Sequence, residues 1–176
     1  MSGIRFRLRM GLLLKSDIAR YGNGTGKGMP RFQYWWRKAQ EASFFPLKAF
    51  YVFMLRRTSR KNLCEFSFHI KCGPGLYIGH PYCIVINPDA VIGSHVNIAK
   101  GVTIGQENRG KRKGVPTIGN NVWIGVNATV VGKIKIGDDV LIAPNTLANC
   151  DVPSHSIVYG NPCIVKHRDN ATEGYL

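Results

Sequence analysis

Of the five histidines in the chain, His80 alone stands where the sequence breaks its own rhythm. It lies in Gly73–Asn87, GPGLYIGHPYCIVIN, which holds two extra residues between Ile78 and Ile86 relative to the six-residue spacing that separates aliphatic positions elsewhere. An insertion at a turn re-aims side chains, and imidazole is the side chain that takes a hydroxyl proton near neutral pH. A second departure follows Gly105, where the loop QENRGKRKGVPT runs eight residues past the period and carries Arg109, Lys111, Arg112 and Lys113. Arg and Lys hold phosphate through charge-assisted hydrogen bonds, so this loop reads either as a phosphate contact or as solvated surface. His69, His95, His155 and His167 have no comparable setting. Cys83 has the chemistry of a nucleophile, but its place in the pattern predicts a packed side chain.

The elements that position these residues follow from a repeat. An aliphatic residue returns every sixth position at Ile86, Ile92, Ile98 and Ile104, and again at Ile118, Ile124, Val130, Ile136, Ile142 and Ala148. The next position is usually small, as at Gly93, Ala99, Gly105, Gly119, Gly125, Gly137 and Ala143. Four places along stands a second small or β-branched residue, from Ala90 and Val96 to Val140, Thr146 and Val152. Period six fits neither a lone alternating strand nor a helix of 3.6 residues per turn. It fits a short strand and a tight corner, repeated, with the first and fifth residues facing inward. Three such sides close a coil of eighteen residues, and roughly four coils at ~4.8 Å spacing make a triangular prism about 20 Å long. Each coil buries its aliphatics only against its neighbours, so the ends require caps.

The first third of the chain reads differently. Residues 1–62 hold 14 Lys and Arg against Asp17 and Glu41, a balance of +12 out of the chain's +14. Such a segment favours anionic partners: acidic glycan, nucleic acid or a membrane surface. GNGTGKG at 22–28 is a break, and helices are predicted over 31–42 and 47–60, separated near Pro46. Their aromatics, among them Phe32, Trp36, Phe44, Phe45, Phe50 and Phe53, read as a cap on the open end of the prism. No nucleic-acid recognition motif accompanies them, so no nucleic-acid partner is expected. GNGTGKG lacks the Ser or Thr that a phosphate-binding Walker loop places after Gly-Lys. No apolar run reaches membrane-spanning length. The start, MSGIRFRLRMGLLLK, lacks a cleavage site, which argues against a secretory signal, and its basic-apolar character suits the surface of a membrane. Five cysteines without a CxxC favour neither a disulfide framework nor zinc, and a reducing cytosol fits. The expected organisation is a helical region over 1–62, the prism over 63–152 with a loop projecting at 106–117, and a tail over 153–176.

The run from Glu65 through Val115 resembles, without a gap, the serine acetyltransferase branch of the hexapeptide-repeat acyltransferases. The resemblance implies a left-handed parallel β-helix, a handedness that general physics does not supply. It places His80 on the general base and Glu65 on the acidic residue that orients that base; apart from the resemblance, Glu65 is a charged residue at the helix-to-prism junction. A carboxylate on the far ring nitrogen fixes the tautomer and stabilises the imidazolium. The resemblance further implies acetyl-CoA as donor, no metal, and a homotrimer whose clefts lie between subunits. The thioester arm would run by Gln106, Gly125, Val126 and Pro144. The loop residues Asn108, Arg109, Lys111, Arg112 and Lys113 would face its phosphates, with Lys166 and Arg168 reaching the nucleotide. Asp17, Gly79, Tyr82 and Val115 are the candidate acceptor contacts. The pattern departs from the family in two places: Gly79 stands where an aspartate precedes the histidine, and Gly114 and Val115 stand where an Arg-His pair holds the amino acid. Burying a zwitterion without charged partners is costly. The expectation is therefore an O-acetyltransferase acting on a neutral hydroxyl, a sugar of a surface-polysaccharide pathway, in the cytoplasm or at the inner face of the membrane. Serine O-acetylation for cysteine synthesis and a non-catalytic scaffold for anionic glycan or membrane are the alternatives. The closely spaced histidine pair of the related γ-class carbonic anhydrases is missing.

Overall fold

The structure, a computed structural model, describes residues 11–176. The expectation of membrane contact by the first fifteen residues therefore lies largely outside the described part. Three helices open it: α1 (Leu12–Ala19), α2 (Arg31–Glu41) and α3 (Phe45–Lys61). The spacing of apolar residues did not announce α1. Pro46 stands in the first turn of α3, not before it, because the N–H that proline lacks has no helical partner there.

The prism follows, one coil at a time. β1 (Lys71–Cys72), β2 (Tyr77–Ile78) and β3 (Val85–Ile86) form the first coil. β4 (Val91–Ile92), β5 (Asn97–Ile98) and β6 (Thr103–Gly105) form the second. β7 (Thr117–Ile118), β8 (Val122–Ile124) and β9 (Thr129–Val131) form the third. β10 (Lys135–Ile136), β11 (Val140–Ile142) and β12 (Leu147–Ala148) form the fourth, and β13 (Ser156–Tyr159) and β14 (Ile164–His167) end the chain's strands. Three parallel ladders result: a first face β1-β4-β7-β10, a second face β2-β5-β8-β11-β13, and a third face β3-β6-β9-β12. In register, Ile98 stands over Ile124 and Ile104 over Val130, so the inserted loop leaves the ladder unbroken.

All ten periodic positions from Ile86 to Ala148 are at most 3 % exposed, and so are the fifth-position residues from Ala90 to Val152. Every coil thus seals the next with aliphatic contacts, each inward Ile or Val contributing about 1.5–3 kcal/mol. Thr146, on one of those inward positions, is the exception in kind: its Oγ1 is buried without a hydrogen-bond partner among the described residues.

At the open end, Phe32 and Trp36 of α2 and Leu55 of α3 join the same core as Phe66, Ile70 and Ile84. Trp36 meets Phe66 edge-on at 5.2 Å and its Nε1–H donates to the Ser67 carbonyl at 3.0 Å. Phe44, Phe45, Phe50 and Phe53 do not share in this cap; they are exposed. At the other end the ladder runs past residue 152, where the period suggested a tail. Val158 sits over Ile142 at a spacing of sixteen residues instead of eighteen, which hid β13 from the count. β14 then pairs antiparallel with β13 and closes the sheet edge.

Residues 169–176 return over the second face. The Asp139 carboxylate accepts the N–H groups of Ala171 and Thr172 at 3.0 Å, the Thr172 hydroxyl at 2.7 Å, and lies 2.9 Å from His155 Nδ1. Burial pushes this carboxyl up, but those hydrogen bonds outweigh it and hold it at about 2. Further along, Tyr175 packs on Trp123 with ring centres 4.9 Å apart, and its carbonyl accepts Asn97 Nδ2–H at 2.8 Å.

Candidate active site

The edge where the second and third faces meet carries one corner from each coil: His80–Cys83, Ala99–Gly101, Gly125–Asn127 and Ala143–Asn145. Backbone hydrogen bonds stack them. Gly101 N–H donates to the Tyr82 carbonyl at 2.9 Å, Asn127 N–H to Lys100 at 3.0 Å, and Asn145 N–H to Val126 at 2.9 Å. The later corners each have a single residue of positive φ, Gly101, Asn127 or Asn145. The two-residue insertion gives the first corner two, His80 at φ 55° and Cys83 at φ 56°. A non-glycine residue takes this conformation only when its surroundings impose it. Here they do: Cys83 N–H donates to Asn62 O at 3.0 Å, Tyr82 N–H to His80 O at 2.8 Å, and Glu65 N–H to Ile84 O at 2.8 Å. The wider corner leaves the imidazole exposed. Cys83, expected to be packed, is exposed for the same reason.

The structure therefore brings His80, Gly125, Val126 and Pro144 to one edge. The backbone along it is bare by necessity: a Cβ on Gly125 would stand 2.6 Å from the Pro144 nitrogen. Tyr82 is exposed on the same corner. Tyr77, which the sequence pattern did not single out, stands at the foot of it. Its ring lies 3.4 Å from where a Gly79 side chain would begin and stacks on Tyr21 at 4.6 Å. An outward-facing aromatic two residues before the corner was the available signal.

Glu65 pairs its backbone with Val85, as an extra rung beside β3. Its carboxylate is exposed, and among the described residues it makes neither a hydrogen bond nor an ion pair, with His80 or with any other group. It lines a groove of about 350 Å³ together with Val52, Leu55 and Arg56 of α3.

Several expected neighbours are elsewhere. Gln106, Asn108, Arg109, Lys111, Arg112, Lys113 and Val115 belong to the loop between β6 and β7, on the edge joining the third and first faces. A whole face separates them from His80 within one chain, because the insertion came one side later than the imidazole corner. The loop is ordered at its base. Glu107 and Gly114 exchange backbone hydrogen bonds at 3.0 and 2.9 Å, Arg112 pairs with Glu107 at 3.1 Å, and Asn87 Nδ2–H donates to Gln106 Oε1 at 3.3 Å. Arg109, Lys111 and Lys113 are exposed and, among the described residues, have no carboxylate partner. Lys166 lies on β14 opposite Ile157, and the Arg168 backbone N–H donates to the His155 carbonyl, so the returning strand carries Arg168 to the edge away from His80.

Asp17 is the clearest correction. It is fully buried and forms an ion pair with Arg37 at 2.8 Å. Its oxygens also accept the Gly75 and Leu76 N–H groups at 3.0 and 2.9 Å and Gln33 Nε2–H at 3.0 Å. Arg37 further donates to the carbonyls of Cys72 and Gly73. This cluster ties α1 and α2 to the first coil and leaves no atom of Asp17 for an acceptor. Among the described residues, no group of three or more His, Cys, Asp or Glu is placed to hold a metal ion.

The fold is a left-handed parallel β-helix, and residues 116–147 match the family described as bacterial transferase hexapeptide (six repeats). The chain is similar to serine acetyltransferases. It is 42 % identical over 91 residues to the serine acetyltransferase of Helicobacter pylori (strain ATCC 700392 / 26695), covering 52 % of this chain and 53 % of that protein. The crystal structure of serine acetyltransferase from Brucella abortus strain S19 superposes with a TM-score of 0.75 at 25 % identity, over 91 % of this chain and 70 % of that one. The B. abortus enzyme in complex with Coenzyme A also gives 0.75, and at 23 % identity that likeness speaks to the fold. The chain spans about half the length of the H. pylori relative and about a quarter of serine acetyltransferase 4 of Arabidopsis thaliana.

Proposed function

We propose that the protein is an acetyl-CoA-dependent O-acetyltransferase in which His80 takes the proton of an acceptor hydroxyl. The observation that carries this reading is the exposed imidazole, held by a two-residue insertion at the head of an edge of bare backbone. Glu65 is the orienting carboxylate, swinging onto the ring when acceptor and neighbouring subunit close over it. The donor supplies an acyl thioester. Gly125, Val126 and Pro144 offer a smooth track for its arm, and Arg109, Lys111 and Lys113, cations without carboxylate partners among the described residues, suit its phosphates. Since loop and imidazole lie on different edges, the site is completed in a homotrimer, where the loop edge of one subunit meets the His80 edge of the next.

Serine is the acceptor that the similar proteins favour, since those cited are named serine acetyltransferases. A sugar hydroxyl is the second reading, carried by Gly79. Its φ is not positive and a Cβ would meet nothing closer than 3.4 Å, so the backbone does not demand glycine there. The lack of a carboxylate is thus a property of the site and not of the fold. Gly114, at φ 136°, is by contrast required by its turn.

The test is acetyl transfer from acetyl-CoA, followed by thiol release, with serine and a panel of sugars. His80→Ala is expected to lose about 10²–10⁴-fold in rate with its melting temperature unchanged. Activity within about tenfold of wild type refutes the base. Preference for serine over every sugar rejects the second reading.

A further inference from the structure

Phe45, Phe50 and Phe53 stand 79 %, 49 % and 61 % exposed on α3, and Phe44 just before it is 67 % exposed. Tyr51, Leu55 and Ser59 turn the opposite side of the helix into the core. The outward side is segregated along its axis: the phenyl rings occupy the first half, and Arg56, Arg57, Arg60 and Lys61 the second. The helix contains no acidic residue. Cations in the last turn complement the helix dipole, which accounts for Arg60 and Lys61 but not for a row of bare rings. Beside the rings, a groove of about 600 Å³ opens between α3 and Phe68–His69, with Lys48 Nζ 5.3 Å from the Phe68 ring. An exposed apolar surface rimmed by charge marks a partner.

We propose that this outward face of α3 docks on a bilayer rich in anionic phospholipid. The phenyl rings enter the boundary between headgroups and acyl chains, and the cations of the second half meet the headgroup phosphates. Charge complementarity selects this occupant. The excess of +12 lies in residues 1–62, and a second copy of the same face would set cation against cation. A single-stranded nucleic acid is served by aromatics interleaved with cations along a groove, whereas here the two kinds are separated. The inference goes beyond the acyl-transfer reading and has a consequence for it. Arg56 also lines the groove that holds Glu65, so docking sets the first coil, with its imidazole corner, next to the membrane.

The experiment is co-sedimentation of the full chain with vesicles of phosphatidylcholine alone, or with about a quarter of phosphatidylglycerol. Binding is expected only with the anionic vesicles, weakening as salt rises. Phe45→Ser/Phe53→Ser and, separately, Arg56→Glu/Arg57→Glu are each expected to weaken it by on the order of tenfold with an unchanged melting curve. The phenylalanine variant retains acetyl transfer to a soluble acceptor, which separates this result from a failure of the His80 reading. Three outcomes overturn the proposal: no binding to anionic vesicles; binding that survives both double variants; or variants that split a larger assembly in light scattering while vesicle binding persists, which assigns the face to a second copy of the chain.

Discussion

At the scale of the residue, two acidic side chains expected at the site stand in opposite surroundings. Asp17, a candidate for the acceptor site, is a structural hub, whereas Glu65 stands exposed with nothing yet to bind. The difference is one of desolvation. A carboxylate buried to the degree of Asp17 is tolerable only if every lone pair is answered, and Arg37, Gln33, Gly75 and Leu76 answer them. Asp17→Ala leaves the Arg37 guanidinium buried and uncompensated. It is expected to destabilise the fold by about 3–5 kcal/mol, read from urea unfolding. A loss below about 1 kcal/mol shows that the cluster is solvated and the helices are held by the aromatic cap alone. Nothing local in the sequence pairs Asp17 with Arg37; the partnership exists only because α1 and α2 both lie against the first coil.

At the scale of the element, the coils are interchangeable except where one departs from the aliphatic rule. Thr146 is such a place. Its hydroxyl is buried without a partner on a position where the other coils put Val, Ile or Ala. Thr146→Val keeps the shape and removes the orphan, and is expected to raise stability by about 1 kcal/mol in chemical denaturation. The returning tail is a second special element. Its anchor, Asp139, has a native pKa of about 2 against an ordinary value of 3.8, so the anchor stabilises the fold fully above that ordinary value and loses its contribution as pH falls through 2. Hydrogen exchange at the Ala171 and Thr172 amides tests this. Protection is expected to hold at pH 5 and to fade toward pH 2, and in Asp139→Asn exchange should rise by on the order of tenfold at pH 5 as well. Equal protection in that variant shows that the Tyr175–Trp123 contact suffices to hold the tail.

At the scale of the whole molecule, one chain has the imidazole on one edge and the basic loop on another. The proposed trimer brings the two together, and light scattering is expected to report three times the 19.6 kDa chain mass. A monomer that still transfers acetyl groups breaks the argument that neighbouring edges complete the site. The cations and bare phenyl rings of α3 are gathered at the end of the prism that also carries His80. The far end is closed by β14 and the returning tail.

The inward ladder was legible from residues alone. Sealing one coil on the next admits only aliphatic or small side chains at two places in every six, and that constraint writes itself into the sequence as a period. The same count exposed the two insertions, and hence His80 and the loop, because a projecting corner must interrupt the repeat. What a one-dimensional count did not fix was which edge each insertion reached, the sixteen-residue step that hid β13, and the long-range partners of Asp17 and Asp139. Those depend on where distant segments meet after folding, where a buried charge must find its counter-charge wherever the chain brings one, and no periodicity records that meeting.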